Sequence, residues 1–206
     1  KNWVGVKYHI ELNSLENVIS LHTFDSGYCG ISKIENNTFC LCYIVNANSL
    51  KKFNNKIDLL EKNVLMKNPF LFKIFNEANF LFEKPITISN ITFEHKKAID
   101  KEVFYIGDAA GSIAPLTGNG MSNAMRSAYL LSIELNQYFD SAITFEQLKG
   151  NYTKIWDSNF SFRIKYGKYL QSLFCKPIFT SLFFIIAKKS KSLRQLLVKN
   201  SHGEIF

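Results

Sequence analysis

The sequence predicts an α+β chain, one part of a larger α/β arrangement. Three observations carry this. The first third alternates large apolar and polar residues between short turn-forming segments, the pattern of an antiparallel sheet. In the middle, a short apolar strand breaks at Gly107-Asp108, runs through small residues to Pro115 and re-enters order as a helix through Gly118 and Gly120. From Phe145 onward apolar residues recur three and four apart, which is helical spacing.

Taken in chain order, Trp3 to Leu12, Val18 to Phe24, Tyr28 to Ile34 and Thr38 to Val45 read as strands. Asn13-Ser14, Asp25-Ser26-Gly27 and Glu35-Asn36-Asn37 join them with good turn chemistry for a meander. Ile57 to Met66 and Pro69 to Phe82 read as a helix pair, and Ile86 to Phe93 returns to strand. Val103 to Ile106 forms the strand before the turn. The helix after Gly120 places Met121, Ala124, Ala128, Leu131 and Leu135 along one face suited to packing beneath a sheet. Three or four helices follow Phe145, interrupted at Pro177.

Composition excludes several classes. At 206 residues, 47% hydrophobic and 20% charged, the chain has enough material for one sizeable core, with or without an appendage. Nineteen phenylalanines suggest an aromatic interior or an apolar cavity. The net charge of +8 comes with lysines spread among asparagines and isoleucines, which argues against nucleic-acid binding. Cys29, Cys40, Cys42 and Cys175 lack metal spacing, and Cys40 and Cys42 suit small buried positions on one strand face. A disulfide framework is not expected, so a cytoplasmic, reducing location is the default. The four histidines are scattered singly, and no metal is expected. Pro177 to Ala187 is apolar on nearly every side but shorter than the roughly 20 residues of a membrane span. With Lys188, Lys189, Lys191 and Arg194 behind it, it reads as a buried closing helix with a solvated basic end. The alternative is peripheral membrane contact through 177–194.

The turn carries the chemistry. An ionised Asp108 only accepts hydrogen bonds, which suits a sugar or ribityl hydroxyl. Pro115 gives a rigid surface without an N–H, against which a ring system can lie. Gly118 and Gly120 clear side chains from where backbone approaches a ligand. Beyond them the N–H groups near Met121 and Ser122 stand free at the positive end of the helix. These features fit a flavin. No Gly-Lys-Ser/Thr is present for a phosphate loop. Gly118-x-Gly120-x-x-x-Ala124 follows its strand too late for a dinucleotide fingerprint, and Asp140 ends a helix rather than a second strand.

The run Gly107-Asp-Ala-Ala-Gly-x-x-x-Pro-x-x-Gly-x-Gly-Met-x-x-Ala124 resembles the second flavin fingerprint of the FAD-dependent oxidoreductases. Aromatic hydroxylases, geranylgeranyl reductases and flavin-dependent halogenases belong to that superfamily. The resemblance implies FAD as cofactor, bound by Gly107, Asp108, Ala109, Pro115, Gly118, Gly120, Met121 and Ser122. It implies a substrate-facing sheet with its helix pair over 1–100, the C-terminal part of an FAD-binding domain over 101–140 and a helical region over 141–206. It places Asp25-Ser-Gly-Tyr-Cys-Gly-Ile31 on the strand facing the flavin, with Tyr28 or Cys29 toward substrate. Gly27-Tyr-Cys-Gly-Ile-Ser-Lys33 keeps the Gly-Tyr of the halogenase and prenyl-reductase motifs. It has neither their tryptophan nor their proline, which argues against halogenation. No Gly-x-Gly-x-x-Gly unit precedes the turn, so the chain is expected to be the C-terminal portion of a longer protein. On its own it is expected to bind FAD poorly and to be inactive.

The implied function is an oxidoreductase, monooxygenase- or reductase-like. Its flavin would be reduced by NAD(P)H, and its substrate would be an apolar or aromatic/isoprenoid small molecule. No side chain is an evident acid or base, so no catalytic residue is assigned. The competing reading is a flavin-free module, a degenerate homologue with a lipid- or protein-binding surface. An intact Asp108 and intact glycines argue against decay.

Overall fold

The structure, a computed structural model, describes residues 2–12 and 18–202, so the turn expected at Asn13-Ser14 lies outside the described residues. The chain forms two compact units. One comprises Lys1–Thr92 with Leu173–Ile185, the other Phe93–Ser172 with Ile186–Phe206.

The first unit is built on strands β1 (Trp3–Glu11), β2 (Ser20–Phe24), β3 (Gly27–Lys33) and β4 (Thr38–Asn46), ordered β2-β3-β4-β1 and antiparallel throughout. The other two expected turns are present. Asp25-Ser26 closes β2 onto β3 with Ser26 at φ 68°, and Asn36 takes φ 50° in the β3–β4 turn, where the Thr38 N–H reaches the Glu35 carbonyl at 2.8 Å. Three helices, α1 (Ala47–Lys51), α2 (Ile57–Asn63) and α3 (Pro69–Glu77), cover one sheet face. Of these, α1 was not expected. Asn68 starts α3 by accepting the Phe70 and Leu71 N–H groups, with Pro69 in the first turn where its missing N–H costs nothing. Asn68 also donates to the Thr23 carbonyl at 3.2 Å, tying the helix to the sheet.

The covered face buries Val6, Tyr8, Ile10, Cys29, Ile31, Phe39, Leu41, Tyr43 and Val45 against Leu50, Leu60, Leu65 and Leu71. Strand alternation sends the intervening residues to the opposite side. Two rows cross it: Leu21, Gly30, Cys42, Lys7, Ile86 and Thr23, Tyr28, Ile44, Gly5, Ile88. Two expectations change here. Cys42 is exposed and Cys40 only half-buried, because both lie on the face that α1–α3 do not cover. The helix expected over 69–82 ends at Glu77, and Asn79–Phe80 becomes strand β5, paired with Glu11 and Ile10. As a strand residue Phe80 meets the Tyr8 ring edge-on at 4.9 Å, a core contact that competes successfully with helix propensity. The last strand of the sheet, β6 (Ile86–Ile91), pairs along the first half of β1.

The second unit opens on a two-stranded hairpin, β7 (Ile99–Asp100) and β8 (Val103–Phe104), so the strand before the turn is shorter than expected. After the turn come α4 (Gly120–Phe139), α5 (Phe145–Trp156), a π-helical turn at Asp157–Ser161 and α6 (Phe162–Phe174). Thr144 and Gln147 cap α5 reciprocally. The wider π turn keeps Trp156, Phe160 and Ile164, four apart, in one core with Ala98, Ala110 and Tyr152. Helices α7 (Pro177–Lys189) and α8 (Lys191–His202) follow, with α7 beginning at the expected Pro177 break.

The packed side of α4 shares Ala124 and Leu131 with the expected face but leaves out Met121. It carries Ala124, Ser127, Leu130, Leu131 and Glu134, and the buried Glu134 carboxylate accepts from Asn151 at 2.9 Å. Met121 stands 82% exposed and begins a ridge with Met125, Tyr129 and Ile133, four residues apart and open to solvent.

Candidate functional site

The turn between β8 and α4 is held from several sides by backbone and small side chains. Tyr152, whose hydroxyl burial pushes up to about 12, remains a proton donor and bonds the Tyr105 carbonyl at 2.8 Å. The Tyr105 N–H reaches the Ala98 carbonyl at 2.8 Å, fixing the strand end that leads into Gly107. Gly107 takes φ 55° and donates its buried N–H to the Ser127 hydroxyl at 2.9 Å, while that hydroxyl bonds the Ala124 carbonyl at 2.8 Å. A Cβ on Gly107 would stand 3.0 Å from the Ala124 Cβ. Gly107→Ala therefore combines left-handed strain with crowding of α4. It is expected to cost about 2 kcal/mol and lower Tm by roughly 4–8 °C in thermal denaturation. An unchanged Tm would show that α4 yields at this contact.

From Gly107 a single 3-10 turn carries Asp108 and Ala109 outward, with the Ala110 and Gly111 N–H groups both on the Gly107 carbonyl at 3.1 Å. The segment Glu94–Lys97 braces the turn from outside. His95 bridges Gly111, the Lys96 N–H meets the Ala110 carbonyl at 3.1 Å, and the Lys96 ammonium meets the Asp108 carbonyl at 3.4 Å. The His95 ring is itself oriented by Asp157 at 2.9 Å. The Asp108 carboxylate is exposed and makes no hydrogen bond among the described residues, so its acceptor capacity is free for a ligand.

A second 3-10 turn, Pro115–Thr117, leads to Gly118 at φ 69° and then into α4. Pro115 is exposed, whereas Ala110, Ile113 and Ala114 anchor the loop from beneath, and Gly167 of α6 approaches the Ala114 nitrogen to 3.6 Å from its Cβ position. Side chains built at Gly118 or Gly120 would meet nothing within 4 Å. No side chain caps the start of α4 and its first turn has no acidic residue. The first N–H groups of a twenty-residue helix therefore face open ground cleared by two glycines. Uncapped amides, a free carboxylate at the strand end and a proline surface between them are what an anionic or strongly polar planar ligand requires.

Eight positions expected at a cofactor thus lie along one continuous turn. Tyr28 and Cys29 belong to the other unit and are separated by strand alternation. The Cys29 thiol lies fully inside the helix-covered core, where burial raises it well above the usual thiol range, so it does not face substrate. Tyr28 lies on the opposite face. Its hydroxyl has no hydrogen-bond partner among the described residues and is raised by burial and by the nearby Cys175 and Cys42. Ser127, Tyr152 and His95 position the turn and escaped sequence reasoning. A serine within an otherwise apolar helix face, twenty residues after Gly107, was the available sign for the first.

The fold is similar to that of several solved FAD-dependent enzymes. No family model matches the chain. The structure is similar to the flavin-dependent brominase Bmp2, with TM-score 0.75 at 15% identity, covering 97% of this chain and 50% of that one. It is also similar to HpxO of Klebsiella pneumoniae, solved with FAD and uric acid, with TM-score 0.69 at 12% identity over 96% of this chain and 51% of that one. A third likeness is to PqsL, a probable FAD-dependent monooxygenase of Pseudomonas aeruginosa, with TM-score 0.61 at 14% identity over 88% and 51%. By sequence, the conditioned medium factor receptor 1 of Dictyostelium discoideum is 28% identical over 138 residues, 65% of this chain and 26% of that protein. The chain spans about half the length of the solved structures it matches and about a quarter of that curated relative.

Proposed function

We propose that this chain supplies the ring end of an FAD site in an oxidoreductase acting on an apolar or aromatic/isoprenoid small molecule, with NAD(P)H as reductant. The observation that carries the reading is the open ground before Gly118 and Gly120, at the uncapped start of α4, beside the free carboxylate of Asp108. The residues fit the cofactor. Asp108 accepts from ribityl hydroxyls, Gly107 and Ala109 set its position, and Pro115 lies against the ring. The N–H groups of Gly120, Met121 and Ser122 donate to carbonyl oxygen. When bound, FAD supplies the redox chemistry, either double-bond reduction or oxygen-dependent hydroxylation. The positive end of α4 favours negative charge on its ligand by about 0.3–2 kcal/mol.

The exposed ridge of Met121, Met125, Tyr129 and Ile133 supports a further element of the proposal. A dinucleotide-binding unit holding the adenosine end would cover apolar surface of this kind. Tyr28, buried and with a hydroxyl that has no hydrogen-bond partner among the described residues, is the substrate contact we propose on the sheet face opposite α1–α3. Four free thiols fit a cytoplasmic location, and an apolar substrate is compatible with peripheral membrane contact. The likeness to a brominase does not extend the proposal to halogenation, because Gly27 to Lys33 lacks the tryptophan and proline noted above.

Gly120→Val separates this proposal from a flavin-free module. The added side chain meets nothing in the folded chain, so stability is expected to stay within about 0.5 kcal/mol of wild type. Flavin affinity of the full-length protein, read by fluorescence quenching on titration, is expected to fall at least tenfold. Wild-type affinity in Gly120→Val would remove the ring from this turn.

A further inference from the structure

Helix α7 is not the buried closing helix that its apolar sequence suggests. Thr180 and Ala187 are covered, whereas Phe179, Phe184, Ile185 and Ile186 each stand about half exposed. Lys188 and Lys189 end α7, and the Arg194 guanidinium closes it by donating to the Ala187 and Lys188 carbonyls at 2.6 and 2.9 Å. Charge is distributed just as unevenly. Residues 158–202 hold nine of the 25 basic residues and no acidic one, while the rest of the chain carries 16 basic and 17 acidic. The whole positive excess of the protein therefore belongs to its last helices.

We propose that α7 docks on an anionic membrane surface. Phe179, Ile185 and Ile186, which share an arc of about 120° opposite Thr180 and Ala187, enter the boundary between headgroups and acyl chains, and Lys188 and Lys189 meet anionic headgroups. The charge pattern selects this occupant. A second copy would bring nine further cations against nine, and a nucleic acid would leave four large apolar side chains unmatched. Among the described residues no single helix is long and apolar enough to cross a membrane. The proposal is independent of the flavin assignment.

The test is sedimentation of the full chain with vesicles of phosphatidylcholine alone or mixed with phosphatidylserine, at low and high salt. Wild type is expected to partition onto the phosphatidylserine vesicles and to leave them as salt rises. Lys188→Gln/Lys189→Gln is expected to weaken partitioning about thirtyfold, at about 1 kcal/mol per lysine. Ile185→Ser/Ile186→Ser is expected to weaken it at least tenfold while leaving the circular dichroism unchanged, since both positions are exposed. No binding to either vesicle, or equal binding by the variants, overturns the proposal. So does a salt-stable dimer abolished by Ile185→Ser/Ile186→Ser.

Discussion

Asp108→Ala is expected to purify folded and colourless from a full-length protein whose wild type is yellow. The carboxylate is exposed and makes no hydrogen bond among the described residues, so its removal should change stability by no more than about 0.5 kcal/mol. Hydrogen bonds to an ionised acceptor contribute about 1.5–3 kcal/mol each, so losing one weakens flavin binding about tenfold to a hundredfold. Asp108→Asn keeps an acceptor without the charge and is expected to fall between the two. Absorbance in the flavin bands at matched protein concentration reads the result. If Asp108→Ala were as yellow as wild type, Asp108 would not hold the cofactor. A wild type that neither arrives with flavin nor takes it up would leave the flavin-free module as the surviving explanation.

Glu61→Ala is expected to destabilise the first unit by about 2–4 kcal/mol, whereas Glu61→Gln should leave it as stable as wild type or more so. Glu61 reaches from α2 into the core. There its Oε1 accepts from the Tyr8 and Tyr43 hydroxyls at 2.9 and 2.8 Å. Alanine leaves two buried hydroxyls without an acceptor, while glutamine keeps the acceptor and drops the charge. Burial raises the Glu61 carboxyl above the ordinary carboxylate range, with the tyrosine hydrogen bonds opposing that shift. A carboxyl raised in the folded state stabilises the protein below its unfolded value of 4.5, and that stability is lost as pH rises through the folded value. The advantage of Glu61→Gln should therefore be absent in acid, grow above about pH 4.5 and level off once the folded carboxyl has ionised. Urea denaturation across pH measures this. An advantage that grew toward acid would show the carboxylate to be held by charge rather than tolerated.

Local chemistry made much of the fold and the candidate site readable in advance. Ser26 and Asn36 accept the left-handed backbone their turns need, Pro69 and Pro177 begin helices, and the β4 alternation places Phe39, Leu41, Tyr43 and Val45 on one face. The site was legible for the same reason. Gly107 and Gly118 take positive φ, and the small residues around them leave backbone exposed. Less visible was anything settled by a distant partner. Phe80 left a helical pattern for a two-residue pairing with β1, and Ser127 and Tyr152 hold the turn from twenty and nearly fifty residues away.

By itself, then, the sequence determined where the chain turns, which segments are strand or helix, and where backbone is laid bare beside a carboxylate. These follow from torsional freedom, missing side chains and periodicity, all properties of neighbouring residues. Only the tertiary structure decided which faces are covered. It put Cys29 inside and Tyr28 across the strand, left Met121 and the ridge behind it open, and brought α7 to the surface despite its apolar sequence. Covering a face requires a partner from elsewhere in the chain, and hydrophobicity records only how much a residue gains from cover, not whether any is supplied.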